Sequence, residues 1–261
     1  MDRRLRWIYG CTVEPRAFID GVAAPDGFDR IAAAARGHFT AMQVRDGAVR
    51  GWDLHIARLT AANREMFDAG LDAAALRAAI RQALGDTADA SVRVVVFPEA
   101  SAVRVAVTVR LPFVAELTPQ ALLPVAYWRP LAHLKRIANP GHGAAIDTAI
   151  AAGFDDAVLV DDAGEIAEGG ITNIGFWDGT HLVWPAAPAL AGITYQLIAP
   201  EVPSRHEAVF LRDVPDFRAA VVTNSHGIAA VRQIGAVAVA VDEELLDKVR
   251  AVYDAAPWTV I

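Results

Sequence analysis

The stretch AVLVDDAGEIAEGGITNIGFWDGTHLVWP, residues 157–185, decides the fold prediction. Its two ends, AVLVD and THLVW, are short apolar runs rich in β-branched residues, which is typical of strands. The sequences DDAG and Asp178-Gly179 supply turn residues at two reversals. The pattern predicts strand, turn, strand, turn, strand, arranged as a meander.

Glu168 does not fit the core of such a meander, because it stands among apolar residues just before Gly169-Gly170. A buried carboxylate is costly unless a cation or a proton donor meets it. The residues alone leave two interpretations open. Glu168 faces solvent on an edge strand, or it lies in a site that supplies a partner.

Composition restricts the class of protein. The chain has 261 residues, 54% of them hydrophobic, which favours a well-buried globular protein of one large or two modest domains. The formal net charge of −7 and the scattered basic residues predict no nucleic-acid partner. A single cysteine, Cys11, excludes an internal disulfide framework and fits a cytoplasmic protein. We expect no signal peptide and no membrane span.

The chain in order predicts two lobes of mixed strands and helices, an α/β or α+β class. A hairpin at 39–52 leads to a helix capped by Asp53 and stopped by Gly70. The proline-containing stretch 112–124 is interpreted as irregular, and a loop-like segment with Lys135 follows at 129–142. Later residues predict a helix starting near Thr194 and strands that include 208–211 and 219–223.

Four features of this pattern can form one site. Lys135 has apolar neighbours, and a desolvated lysine can form a Schiff base. Glu168 could keep a heteroaromatic nitrogen protonated. The helix start Gly192-Ile193-Thr194 offers backbone N–H groups to a phosphate, as do the polar groups of Thr223-Asn224-Ser225 and the guanidinium of Arg58. An aldehyde, a pyridine nitrogen and a phosphate together indicate pyridoxal phosphate.

From roughly residue 37 to residue 235 the chain resembles the class IV aminotransferases. These are the fold-type IV pyridoxal-phosphate enzymes, which include branched-chain and D-amino acid aminotransferases and aminodeoxychorismate lyase. The resemblance depends on Lys135 and on four segments, which are HIARL (55–59), AAGFDDAVLVDDAGEIAEGGITNIGFWDG (151–179), LAGIT (190–194) and VVTNSHGIAAVRQIG (221–235).

The resemblance implies a small N-terminal α/β domain at 1–115, a linker at 116–124 and a larger barrel-like domain at 125–261. It also implies that the cofactor site lies between the domains and is completed in a homodimer. Lys135 would form the internal aldimine and move the proton between the substrate Cα and the cofactor C4′. Glu168 would pair with the pyridinium nitrogen. The remaining cofactor-binding residues implied are Arg58, Asn173, Gly192, Ile193, Thr194, Asn224 and Ser225.

Several positions depart from the family pattern. Pro140 stands where many members have a tyrosine, and Thr40 stands where a glutamate often occurs. The short loop 98–101 contains no arginine, whereas some members use one there to bind a substrate carboxylate. His38, Phe39 and Thr40 are predicted to line the substrate pocket. No zinc-type pair exists among His38, His133, His142 and His226, so no metal site is predicted.

Three functions remain open from the sequence. The first is an aminotransferase that moves an amino group between an amino acid or amine and a 2-oxo acid. The second is β-elimination of the aminodeoxychorismate lyase type on the same cofactor. The third, suggested by Pro140 and the altered turn at 36–40, is a non-catalytic ligand-binding relative.

Overall fold

The computed structural model describes residues 15–113 and 118–261. Cys11 and the first part of the predicted linker lie outside the described residues. The chain divides into two compact units, which we call the N-terminal unit (Met1–Val114, Leu134–Ala138 and Pro257–Ile261) and the C-terminal unit (Ala115–His133 and Asn139–Ala256). The domain division at 116–124 stays a prediction. The segment Leu134–Ala138, which contains Lys135, belongs to the N-terminal unit.

The N-terminal unit is built on a five-stranded antiparallel sheet with the strand order β2-β1-β6-β5-β3. Its strands are β1 (Arg16–Ile19), β2 (Val22–Ala23), β3 (His38–Val44), β5 (Ala90–Glu99) and β6 (Ala102–Arg110). A separate short strand, β4 (Ala48–Arg50), pairs with the C-terminal strand β16 (Trp258–Val260). The described residues of the unit also form the helices α1 (Gly27–Ala33), α2 (Trp52–Phe67) and α3 (Ala73–Leu84).

The core of the N-terminal unit lies where α2 and α3 meet the sheet. Leu59 of α2 and Ile80 of α3 are fully buried in one cluster with alternate valines of β5. This burial of one helix face against one sheet face is the main stabilising contribution to the unit. The helix α2 begins two residues earlier than predicted, because Gly51 adopts a left-handed conformation (φ 68°) and Trp52 is already helical and buried. Asp53 as the N-cap was therefore wrong.

The C-terminal unit has one large mixed sheet in the order β12-β11-β10-β13-β14-β7-β8-β9, with β15 paired to β14. Its strands are β7 (Gln120–Ala126), β8 (Asp156–Val160), β9 (Ile166–Gly169), β10 (Asn173–Trp177), β11 (Leu182–Pro185), β12 (Ser204–Glu207), β13 (Ala219–Asn224), β14 (Gly227–Ile234) and β15 (Val237–Ala238). Its helices are α4 (Pro140–Ala151), α5 (Ile193–Ile198) and α6 (Glu243–Ala255), with a 3₁₀ helix at Leu211–Asp216. No helix in the described ranges is long and apolar enough to cross a membrane.

The predicted meander at 157–185 was wrong in its topology. The stretch forms two hairpins, β8-β9 and β10-β11, and three other strands (β13, β14 and β7) separate the two hairpins in the sheet order. The strand is interrupted by a turn at residues 170–172. There the backbone N–H of Gly169 donates to the carbonyl of Thr172, and the N–H of Ile171 donates to buried Asp156. A tertiary contact, absent from the local pattern, thus divides the middle strand.

Two segments predicted to be irregular are regular in part. Residues 120–124 belong to β7, and Pro124 is tolerated because β14 pairs with β7 only as far as Leu122. On the β14 side of β7, towards which the carbonyl of Leu122 also points, a missing N–H at residue 124 breaks no ladder hydrogen bond. The segment 129–142 ends in the first turn of α4, where Pro140 takes the first helical position, for which proline is well suited.

Candidate active site

Lys135 lies beside β3 in the N-terminal unit. The N–H of Phe39 donates to the carbonyl of Lys135 at 2.8 Å, and the N–H of Ile137 donates to the carbonyl of Gly37 at 3.0 Å. Gly37 permits this close approach, since a Cβ there would come within 2.9 Å of the Cδ1 of Ile137. These bonds hold the backbone on both sides of the lysine against the edge of the sheet.

The ring of Phe39 attracts two cations. The Nζ of Lys135 is 5.0 Å from the ring centroid, and the guanidinium carbon of Arg93 is 4.6 Å from it. Both distances are within the range of cation–π attraction. The lysine side chain is therefore positioned by an aromatic contact as well as by its backbone.

Arg58 is a largely buried cation without a carboxylate partner among the described residues. Burial lowers its pKa to about 10, and its Nε has no hydrogen-bond partner within residues 15–113 and 118–261. One Nη donates to the hydroxyl of Thr40, which also lies 2.6 Å from Nδ1 of His55. A buried, uncompensated guanidinium is the type of group that binds a phosphate or a carboxylate.

Glu168 is buried in β9, with 5% of its surface exposed. Its Oε1 accepts a hydrogen bond from Nε of Arg129 at 2.6 Å, and its Oε2 accepts one from the N–H of Leu190 at 3.1 Å. Arg129 is itself only 8% exposed and also donates to the carbonyl of Ala132. The interpretation of Glu168 as a solvent-facing residue was wrong, although β9 is the last strand of the sheet.

Four of the predicted cofactor-binding residues form one hydrogen-bonded cluster in the C-terminal unit. Asn173 accepts from the N–H of Gly192 at 3.1 Å and donates to the carbonyl of Leu190 at 2.6 Å. The hydroxyl of buried Thr194 donates to the carbonyl of Asn224 at 2.7 Å. These bonds bring the start of α5 together with the end of β13.

The cluster also contains polar groups without partners. Thr223, which precedes Asn224, has a buried hydroxyl with no hydrogen-bond partner in the described part of the chain. The first N–H groups of a helix such as α5 lack intrahelical acceptors. Like the guanidinium of Arg58, these groups have the donor character that a phosphate monoester requires. The residues present therefore fit the group that the sequence predicts.

The predicted site residues fall into two sets. Lys135, Arg58, His38, Phe39 and Thr40 belong to the N-terminal unit. The second set, in the C-terminal unit, consists of Glu168, Asn173, Gly192, Ile193, Thr194, Asn224 and Ser225.

Sequence reasoning missed two buried charged residues. Arg129 was not identified as the partner of Glu168, although its position six residues before Lys135 was a usable signal. Asp156 was not identified at all. It accepts the N–H groups of Ala157 and Ile171, and its pKa is raised to about 7, chiefly by burial and despite these bonds. It therefore anchors the turn that follows Glu168.

The histidines and Pro140 have structural surroundings of their own. His38 is buried beside Asn63, and burial lowers its pKa to about 4. No group of His, Cys, Asp or Glu in the described ranges could hold a metal ion.

Next to Pro140, Asn139 accepts a hydrogen bond from the hydroxyl of Tyr127 at 2.7 Å. A phenol that follows β7 thus reaches the residue beside Pro140.

Comparison with known proteins identifies relatives of this sequence. The profile of the family described as "Amino-transferase class IV" matches residues 37–234, more than half of the chain. No curated protein sequence matches.

Solved structures with the same fold include proteins described as aminotransferases and one described as a putative lyase. A putative 4-amino-4-deoxychorismate lyase from Legionella pneumophila is 19% identical, with a TM-score of 0.77 over 87% of this chain and 93% of that one. The T.th. branched-chain amino acid aminotransferase with pyridoxamine 5′-phosphate is 16% identical, with a TM-score of 0.80 over 93% and 94%. A hypothetical aminotransferase from Mycobacterium tuberculosis, with α-ketoglutarate and PMP bound, is 20% identical, with a TM-score of 0.81 over 92% and 98%. These likenesses confirm the predicted two-lobed α/β fold class.

Proposed function

Since the chain belongs to the class IV aminotransferase family, we propose that it is a pyridoxal-phosphate-dependent aminotransferase. It would move an amino group between an amino acid or amine and a 2-oxo acid. The observation that carries the cofactor assignment is Arg58, a largely buried cation that no described carboxylate neutralises. When bound, pyridoxal phosphate supplies an aldehyde that accepts the amino group and a protonated ring that accepts electron density from the substrate Cα.

We propose the following roles for the residues of this chain. Lys135 binds the cofactor and moves the proton at the substrate Cα. Glu168, held by Arg129 and the N–H of Leu190, keeps the ring nitrogen protonated. The phosphate is held by Arg58, by the backbone of Ile193 and Thr194, and by Asn224 and Ser225, while Asn173 and Gly192 fix the loop before α5.

The roles of His38, Phe39 and Thr40 in a substrate pocket stay predictions. Phe39 has the best support, because its ring contacts Lys135. The hydroxyl of Thr40 is engaged by Arg58 and His55, which supports a different role. The homodimer and the cytoplasmic location also remain proposals that depend on the family resemblance.

Chemical labelling tests the role of Lys135 directly. Only two lysines occur in the sequence, Lys135 and Lys248, and Lys248 lies in α6 near Trp177. We expect borohydride reduction of the cofactor-loaded protein to give one pyridoxyl adduct, located on Lys135 by mass spectrometry. Lys135→Ala should abolish both the adduct and turnover.

Lys248→Ala is the matched control and should leave the adduct and the activity unchanged. An adduct on Lys248, or activity that persists in Lys135→Ala, would contradict the proposal.

A lyase reaction on the same cofactor is the second candidate. It is favoured by the connection between β5 and β6, which consists of Ala100 and Ser101 alone and carries no arginine for a substrate carboxylate. A putative aminodeoxychorismate lyase is also among the similar structures.

Product identity separates the two reactions. Purified protein should be incubated with a panel of amino donors, with and without pyruvate or 2-oxoglutarate. Amino transfer that requires the 2-oxo acid supports the aminotransferase. Release of pyruvate from aminodeoxychorismate without any acceptor supports the lyase. Cofactor retention without either product would support the non-catalytic alternative.

A further inference from the structure

A short chain of hydrogen bonds in the N-terminal unit starts at Arg58. Its guanidinium donates to the hydroxyl of Thr40, and the same hydroxyl oxygen lies 2.6 Å from Nδ1 of His55. Thr40, in β3, is 0% exposed, and His55, in α2, is 3% exposed. The three side chains therefore form a connected path that water does not reach at Thr40.

The direction of each hydrogen bond in this chain can be deduced. A guanidinium has donors only, so the Thr40 oxygen accepts from Arg58. The single hydroxyl hydrogen of Thr40 then needs an acceptor, and Nδ1 of His55 is the acceptor within reach. His55 is neutral at physiological pH, since burial lowers its pKa to about 3. Its ring proton consequently resides on Nε2.

This arrangement orients Arg58 without neutralising it. A carboxylate at the position of Thr40, where the family often has glutamate, would form an ion pair with a guanidinium and compete with a phosphate dianion. A hydroxyl backed by a neutral imidazole restrains the same Nη group and adds no negative charge. The full charge of Arg58 thus stays available, and its Nε has no hydrogen-bond partner in the part of the chain that the structure describes.

We propose that Thr40 and His55 are positioning residues for Arg58, and that this neutral relay tunes the site for a phosphate monoester dianion. The inference rests on the proposed function, in which Arg58 binds the cofactor phosphate. It gives Thr40 a role different from substrate contact. It also implies that the full chain without cofactor binds inorganic phosphate at Arg58.

The experiment compares pyridoxal phosphate with pyridoxal, which lacks the phosphate. Dissociation constants of both are measured by absorbance titration for the full-length wild type, Thr40→Val and Thr40→Ser. Loss of a hydrogen bond that orients a charged group corresponds to about a tenfold change in affinity. We expect Thr40→Val to weaken pyridoxal phosphate binding about tenfold and to leave pyridoxal binding unchanged. The ratio of the pyridoxal dissociation constant to that of pyridoxal phosphate measures the preference for the phosphate. Thr40→Ser, which keeps the hydroxyl, should have the wild-type value of this ratio.

Two further variants complete the design. His55→Leu removes the other end of the relay and should lower this ratio of dissociation constants. The variant also provides a test of the relay if Thr40→Val does not fold. Thr108→Val is the matched control, because Thr108 is 4% exposed in β6 of the same sheet and its hydroxyl donates to the carbonyl of Arg93 at 3.5 Å. Thermal unfolding of the cofactor-free chain with inorganic phosphate is the second measurement. Its melting temperature should rise with phosphate in wild type and less in Thr40→Val.

The outcomes distinguish this inference from the function on which it rests. If Arg58→Gln loses the preference for pyridoxal phosphate but Thr40→Val and His55→Leu retain it, the relay is wrong and the function stands. Equal weakening of pyridoxal and pyridoxal phosphate in Thr40→Val would indicate general destabilisation and also overturn the relay. If wild type itself does not discriminate between the two compounds, the phosphate role of Arg58 fails, and the proposed function fails with it.

Discussion

Two neighbours of a single residue, Glu168, favour its charged form. Arg129 contributes a buried cation at 2.6 Å, and the N–H of Leu190 binds the second carboxylate oxygen. Hydrogen bonds and an opposite charge both stabilise a carboxylate relative to its protonated form. The residue can therefore remain an anion in a site that excludes most water, as its proposed partnership with a ring nitrogen requires.

At the same scale, we expect Glu168→Gln to lower the free energy of unfolding by about 3 kcal/mol, since removing one charge of a buried pair leaves the other uncompensated. Chemical denaturation measures this loss. The double variant Arg129→Met with Glu168→Leu replaces both charges with apolar groups and should lose less than the sum of the two single variants. A double variant at least as unstable as that sum would show that the pair is not coupled.

At the scale of the element, α5 depends on the glycine that precedes it. A Cβ at Gly192 would collide with the Oδ1 of Asn173. The Asn173 side chain cannot easily move away, because it is bonded both to the N–H of Gly192 and to the carbonyl of Leu190. The start of the helix and the start of β10 are consequently held in one arrangement.

Gly192→Ala should therefore destabilise the protein by about 1–3 kcal/mol, as overpacking typically does, and weaken cofactor binding. Gly143→Ala is the control within α4, where, apart from adjacent residues and the helix's own backbone, no heavy atom of the described residues lies within 4 Å of the added Cβ. In a helix interior that change should instead stabilise by roughly 0.5–1 kcal/mol. Thermal unfolding of both variants measures the two effects. A Gly192→Ala protein as stable as wild type would mean that Asn173 is free to rearrange.

At the scale of the whole molecule, buried titratable groups determine how stability depends on pH. His38 and His55 have pKa values of about 4 and about 3, against 6.5 for an ordinary histidine. Between pH 4 and 6.5 they are protonated in the unfolded chain and neutral in the fold. Asp156 has the opposite effect on the pH dependence of stability, because its pKa is about 7 in the fold and 3.8 ordinarily. It is protonated in the fold and charged in the unfolded chain over most of that interval.

On unfolding near pH 5 the chain gains two protons at the histidines and loses one at Asp156. We therefore expect the free energy of unfolding to fall by about 1.4 kcal/mol for each pH unit from pH 6 to 4.5. Asp156→Asn removes the opposing group and should roughly double this slope. Denaturant titrations of the wild type and of Asp156→Asn over this pH range measure the slope of the unfolding free energy against pH. An unchanged slope in Asp156→Asn would show that Asp156 titrates normally.

The sequence by itself determined the local elements and the candidate chemistry. The strand β3, the tight turn Arg45–Ala48, the helix α2 and the strand β13 follow from periodicity and turn residues, which act between near neighbours. The hairpin predicted at 39–52 was wrong, because β4 pairs with β16 and not with β3. Lys135 and Glu168 were recognisable because charged residues stand out in apolar surroundings. The family match over 37–234 confirms the class of enzyme that those residues indicated.

Only the tertiary structure decided how these elements pair. The strand predicted at 208–211 is instead Ser204–Glu207, whose polar sequence has no strand pattern and which is a strand because it adds to β11 in parallel. Likewise, the hairpin β8-β9 separates from β10-β11 because buried Asp156 binds the turn between them. Arg129 joins Glu168 across 39 residues of sequence. Such contacts depend on which distant groups are desolvated together, and a local pattern contains no information about that.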